Sequence, residues 1–138
     1  MNKIRPYRQI IECLRGAGLR PTRQRMALAK MLFEGEGRHV TAEVLHNESI
    51  SNGVSVSLAT VYNTLNQFTA AGLLREIVVD GERSYFDTTT TDHHHFFHTN
   101  TGELEDIMAD DVIMQNLPVP PMGTKITSVN VIVRVSPA

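Results

Sequence analysis

Four of the six histidines in this 138-residue chain fall within six positions: His93, His94, His95 and His98. An imidazole offers a nitrogen lone pair near neutral pH, so it serves both as a proton carrier and as a transition-metal ligand. In an extended segment alternate side chains share a face. His93 and His95 then point one way and His94 the other, which places two potential ligands side by side. Carboxylates flank the run, with Asp87 and Asp92 before it and Glu103, Glu105 and Asp106 after it. Imidazole and carboxylate donors together favour Mn, Fe or Zn over Mg or Ca. His39 lies far upstream, before a segment that reads as a helix. A ligand set drawn from both halves of the chain would let a metal lock their relative orientation and act as a switch.

Hydrolysis is the competing use of such a cluster, and it needs an open metal position beside a general base. The sequence contains no helical H-E-x-x-H, no glycine-rich phosphate loop and no nucleophile elbow, so the expectation is a binding protein, not an enzyme. Cys13 is the only cysteine, which excludes an intrachain disulfide and an all-cysteine zinc site. Beside Leu14 in a helical pattern, it reads as a small packed side chain. His46, alone on a helix, reads as solvated or hydrogen-bonded.

The elements that must position these residues follow from periodicity and caps. Residues 7–17 carry Ile10, Ile11 and Leu14 at helical spacing. A second helix is expected from about Pro21 or Thr22 to Phe33, with Thr22 as a cap. A third starts at the cap Thr41 and turns Val44 and Leu45 inward. In the fourth, Ser57 is the cap and Leu58, Val61, Leu65 and Phe68 form one apolar stripe, with Thr60, Asn63 and Gln67 exposed on the other side. A hairpin follows: residues 74–79, the turn dipeptide Asp80-Gly81, then residues 82–87. Three or four helices and a hairpin in this order predict a winged helix. Further on, residues 96–101, 103–107 and 129–135 read as strands and 110–116 as a short helix, with Pro118, Pro120 and Pro121 in a loop. The expected class is α+β: a winged-helix DNA-binding domain over 1–88, then a small α/β dimerisation and sensing domain over 89–138. So small a sheet needs a partner to cover its apolar face.

Charge agrees with that division. The net charge of −2 conceals nine Lys and Arg against three acids in residues 1–38, and two against six in residues 89–138. A basic front half suits a polyanion. Arg20, Arg23 and Arg25 cluster at the start of the second helix, where they would grip the phosphate backbone and leave sequence readout to other residues. Asn and Gln on the exposed face of the fourth helix can read adenine edges, and Thr can meet a base or a thymine methyl. No apolar run is long enough for a membrane helix. Lys3 and Arg5 are followed by no apolar stretch, so a secretory leader is not expected and a cytoplasmic protein is.

Three stretches carry a resemblance. They are Gly18-Leu19-Arg20-Pro21-Thr22 with Arg25, His39-Val40-Thr41-Ala42-Glu43, and Leu58-Ala59-Thr60-Val61-Tyr62-Asn63-Thr64-Leu65. Together with the triple histidine they resemble the ferric uptake regulator family over about residues 10–108. Within it, His93-His94-His95 followed by Phe96 and Phe97 is most similar to the iron response regulator branch. The resemblance implies a divalent-metal site on His39, Asp87, His93, His95 and Asp106. It implies a homodimer that binds an AT-rich inverted repeat in double-stranded DNA. Ser57, Thr60, Tyr62 and Asn63 would lie at bases or adjacent backbone, and Arg20 near the minor groove. The branch implies haem binding at His93, His94 and His95, in competition with the metal, and control of iron and haem genes, mainly by repression. Several features depart from the family. His98 and Thr101 stand where many relatives have a C-x-x-C pair, so a structural zinc of that type is not expected. Asn63 stands where many have Arg, which implies a different operator preference. Cys13 is not followed by Pro, so the branch's other haem motif is missing. His94 is a candidate for a second metal site. A metal or haem carrier with no specific operator is the alternative function.

Overall fold

Three hydroxyl side chains decide where three of the four helices of the first ninety residues begin. Thr22, Thr41 and Ser57 each have extended backbone and accept a hydrogen bond from the N–H three residues on, at 3.2, 3.2 and 3.0 Å. Each bond satisfies a donor that the first turn would otherwise leave unpaired. The helices of this computed structural model, which describes residues 7–81 and 83–138, are α1 (Arg8–Gly16), α2 (Arg23–Phe33), α3 (Ala42–Ser51) and α4 (Leu58–Ala70). Lys3 and Arg5 of the basic front half, and Glu82 of the expected hairpin, lie outside the described residues.

The chain divides into two compact units, one up to Thr90 and one from Thr91. In the first, Ile10 and Leu14 of α1, Leu28 and Leu32 of α2, Leu45 of α3 and Val61, Leu65 and Phe68 of α4 share one core. Two expectations fail at its edges. Val44 is 46% exposed, because Ala42, Leu45 and Ser49 define the inward face of α3 and Val44 is rotated off it. Leu58 is 36% exposed: the buried face of α4 starts at Val61 and takes in Thr64, and the first turn runs past the core.

The wing is a three-stranded antiparallel sheet in the order β1-β3-β2, with β1 (His39–Val40), β2 (Arg75–Asp80) and β3 (Arg83–Asp87). At two residues β1 is too short to show a period, so the sequence gives no strand signal there. Asp80 pairs with Arg83 after a register shift beyond Val78. Asp80 therefore belongs to the strand, and the turn follows it instead of using Asp80-Gly81; the irregularity absorbs the extra residue.

In the second unit, β4 (His94–His98) is central, antiparallel to β5 (Leu104–Ile107) and parallel to β6 (Ile132–Val135). The expected helix over 110–116 is reduced to one 3-10 turn, Ala109–Asp111. Ile113 is 81% exposed, so packing does not hold a longer helix there, and an isolated short helix is marginal. Among the described residues, no helix is long and apolar enough to cross a membrane.

Candidate metal and nucleic-acid sites

Strand register delivers an acid to a histidine in each unit separately. In the first unit His39 and Asp87 are direct partners across the β1–β3 ladder, and His39 Nε2 lies 3.3 Å from Asp87 Oδ2. The Asp87 side chain is 1% exposed, and its other oxygen accepts the N–H of Thr89 at 2.8 Å. Arg38 and Thr88 extend the pairing next door, with the Thr88 N–H donating to the Arg38 carbonyl and the Arg38 N–H to Thr88 Oγ1. A slip of one residue would turn the carboxylate to the opposite face.

In the second unit His95 and Asp106 are direct partners across the β4–β5 ladder. His93 and His95 share a face, their rings 4.5 Å apart, and their Nε2 atoms lie 3.2 and 3.4 Å from the same oxygen, Oδ1 of Asp106. His93 Nδ1 lies 2.6 Å from the Thr91 carbonyl oxygen, which can only accept. A proton is therefore on Nδ1, and with that proton alone on the ring Nε2 presents a lone pair to a carboxylate oxygen. Two lone pairs facing one another are unfavourable without a proton or cation between them. A carbonyl that fixes the tautomer of an imidazole is also the usual support of a metal-bound histidine. The donor chemistry therefore fits a divalent transition metal.

The remaining acids and histidines of the run do other work. Glu105 pairs with the half-exposed His98 at 3.5 Å, while Asp92 and Glu103 are exposed. His94 points away from His93 and His95; it is 6% exposed, and its Nδ1 accepts the N–H of Val131 at 3.1 Å. That bond ties β4 to the segment entering β6. His46 Nε2 lies 3.1 Å from the Val56 carbonyl oxygen, a hydrogen bond joining α3 to the segment before α4. Burial pushes the Cys13 thiol up from its ordinary pKa, in keeping with a packed side chain.

On α4, Tyr62 and Asn63 are exposed and Thr60 is half-buried. The Ser57 hydroxyl donates to Thr60 Oγ1 at 2.9 Å, so these two side chains are held together at the helix start. Arg20 is exposed at the approach to α2. The Arg25 guanidinium donates to the Arg20 carbonyl and twice to Gln67 Oε1, at 3.0 and 3.3 Å, clamping α2 to α4. Sequence reasoning placed Arg25 at the phosphate backbone; here three of its five N–H donors are engaged within the unit. It also passed over Glu43, whose carboxylate accepts the Tyr62 hydroxyl at 2.6 Å. That bond lowers the pKa of Glu43 and raises that of Tyr62. A contact spanning nineteen residues leaves no local trace in a sequence.

The model of the "Ferric uptake regulator family" matches residues 16–134. The ferric uptake regulation protein of Shigella flexneri is 41% identical over 76 residues, 55% of this chain and 51% of that protein. The one from Vibrio cholerae is 37% identical over 105 residues, 75% of this chain and 69% of that protein. The chain thus spans about half the length of several curated relatives that it matches. The structure of the ferric uptake regulator from Pseudomonas aeruginosa with manganese superposes with a TM-score of 0.70 at 32% identity, covering 91% of this chain and 96% of that one.

Proposed function

We propose that this chain, which belongs to the ferric uptake regulator family, is a metal-responsive, non-enzymatic DNA-binding transcription regulator that acts as a homodimer in the cytoplasm. The observation that carries the reading is the pair of half-sites. Each unit sets a carboxylate beside an imidazole by strand register, a donor pairing that suits a transition metal. As membership of the family implies, we assign His39, Asp87, His93, His95 and Asp106 to one ion. Mn, Fe and Zn all accept such donors, and the P. aeruginosa structure with manganese supports Mn among them. The bound ion would supply the positive charge that two carboxylates and the imidazole lone pairs call for. The protein's own part is preparation: Thr91 sets the His93 tautomer and the Thr89 N–H holds Asp87.

The DNA-reading element in this proposal is α4, placed in a major groove. Ser57, Thr60, Tyr62 and Asn63 meet base edges or the adjacent backbone, and Arg20 reaches toward the minor groove. Exposure of Tyr62 and Asn63 supports this placement. Dimerisation is supported by the second unit, where Met108, Ile113, Leu117, Val119 and Met122 are exposed on a unit with only a three-stranded sheet. A two-fold dimer fits an inverted repeat, AT-rich in this reading. The test is selection from random duplexes with and without added Mn(II). The expected result is enrichment of one symmetric site, bound at least tenfold more tightly with metal and retained at raised salt. Only salt-sensitive attraction to every duplex would overturn the regulator and leave the carrier.

The finer reading is that of the iron response regulator branch: haem takes His93, His94 and His95, displaces the metal and releases DNA at iron and haem genes. Imidazole is an ordinary axial ligand of haem iron, which supports it. His93 and His95 are 8% and 2% exposed, so haem entry requires that end of β4 to open. Titrating haem into the metal-loaded protein should give a saturable Soret band and stoichiometric metal release. A titration with no saturable band would remove haem and leave the divalent-metal sensor.

A further inference from the structure

We infer that Glu43 sets which bases Tyr62 can read, by committing the tyrosine's only proton. This rests on α4 being the DNA-reading helix. Tyr62 is 39% exposed on α4, and its hydroxyl donates to Glu43 Oε1 at 2.6 Å. Glu43 is itself held in place in the first turn of α3, where the positive end of the helix dipole favours a carboxylate. A phenol has one O–H donor and two acceptor lone pairs. An ionised carboxylate can only accept, so the direction of this hydrogen bond is unambiguous. With its donor used, Tyr62 Oη can only accept from DNA.

That distinction selects bases. In the major groove the donors are the amino groups of adenine and cytosine, whereas thymine O4 and guanine O6 and N7 are acceptors. Phosphate oxygens are acceptors too. A tyrosine locked as an acceptor therefore favours adenine or cytosine at its position and gains nothing from phosphate. The negative charge of Glu43 beside it further weakens sequence-independent attraction to the backbone. Glu43 is in this sense a specificity-determining residue that acts through Tyr62.

The experiment is selection from a randomised duplex pool by metal-loaded wild type, Glu43→Ala, Tyr62→Phe and the double variant, with thermal unfolding as a check on folding. Wild type should prefer adenine or cytosine about fivefold at one position per half-site, the size of a single hydrogen bond. Glu43→Ala frees the hydroxyl to donate, so the preference at that position should vanish while binding to unrelated duplexes strengthens. Tyr62→Phe should lose the same preference, and adding Glu43→Ala to it should change no base preference further. If Glu43→Ala strengthens all duplexes equally and leaves the preference intact, Glu43 is only a repelling charge and the inference falls. If wild type selects no site at all, the regulator reading itself fails.

Discussion

Replacing His93 and His95 together with alanine is expected to abolish the metal dependence of DNA binding while leaving weak, metal-free attraction to duplexes unchanged. The change removes two imidazole donors and leaves Asp106 Oδ1 without either of the Nε2 atoms that face it. Losing an outer partner of a metal ligand already costs ten- to a hundredfold in metal affinity, so losing two ligands should cost more than about a hundredfold. Competition with a chromophoric chelator measures this directly. His94→Ala supplies the contrast, because that ring points away and its Nδ1 accepts the Val131 N–H. It should keep metal affinity within a few fold but destabilise the second unit by about 1 kcal/mol, the net worth of one hydrogen bond. Unchanged metal affinity in the His93/His95 variant would remove both residues from the site. A large loss in His94→Ala would show that the triple histidine acts as one ligand block, as the haem reading requires.

The contrast between these neighbours also shows what a sequence can disclose. Alternation along an extended segment separates His94 from His93 and His95, because side-chain direction in a strand depends only on position parity. Caps are equally local: Thr22, Thr41 and Ser57 act on N–H groups three residues away. Selecting the acid is another matter. Asp92, Glu103, Glu105 and Asp106 are equivalent as sequence, and family resemblance singled out Asp106 without giving a physical reason. The reason is the register His95↔Asp106, a long-range property of two paired strands. The same holds for His39 and Asp87, because β1 is too short to announce itself. Glu43 stayed hidden because its significance depends on how α3 packs against α4.

Phe68→Ala is expected to cost about 3–5 kcal/mol, the range for emptying a buried aromatic site. Phe68 is fully buried, its ring centroid 6.1 Å from that of Phe33, and it lies in the cluster that gathers residues from all four helices. For a unit of this size the loss should lower the midpoint of thermal unfolding by more than about 10 °C. DNA binding should disappear with it, since α4 presents its exposed face only while its other face is packed. Leu58→Ala is the informative partner. Apolar periodicity puts Leu58 and Phe68 in one stripe, yet Leu58 is 36% exposed at the first turn. Its loss should cost under about 1 kcal/mol, as for a side chain only partly removed from water. Unfolding both variants by denaturant compares them on one scale. Similar losses would mean that the core extends to the start of α4, and Ser57 and Thr60 would then be too enclosed to reach DNA.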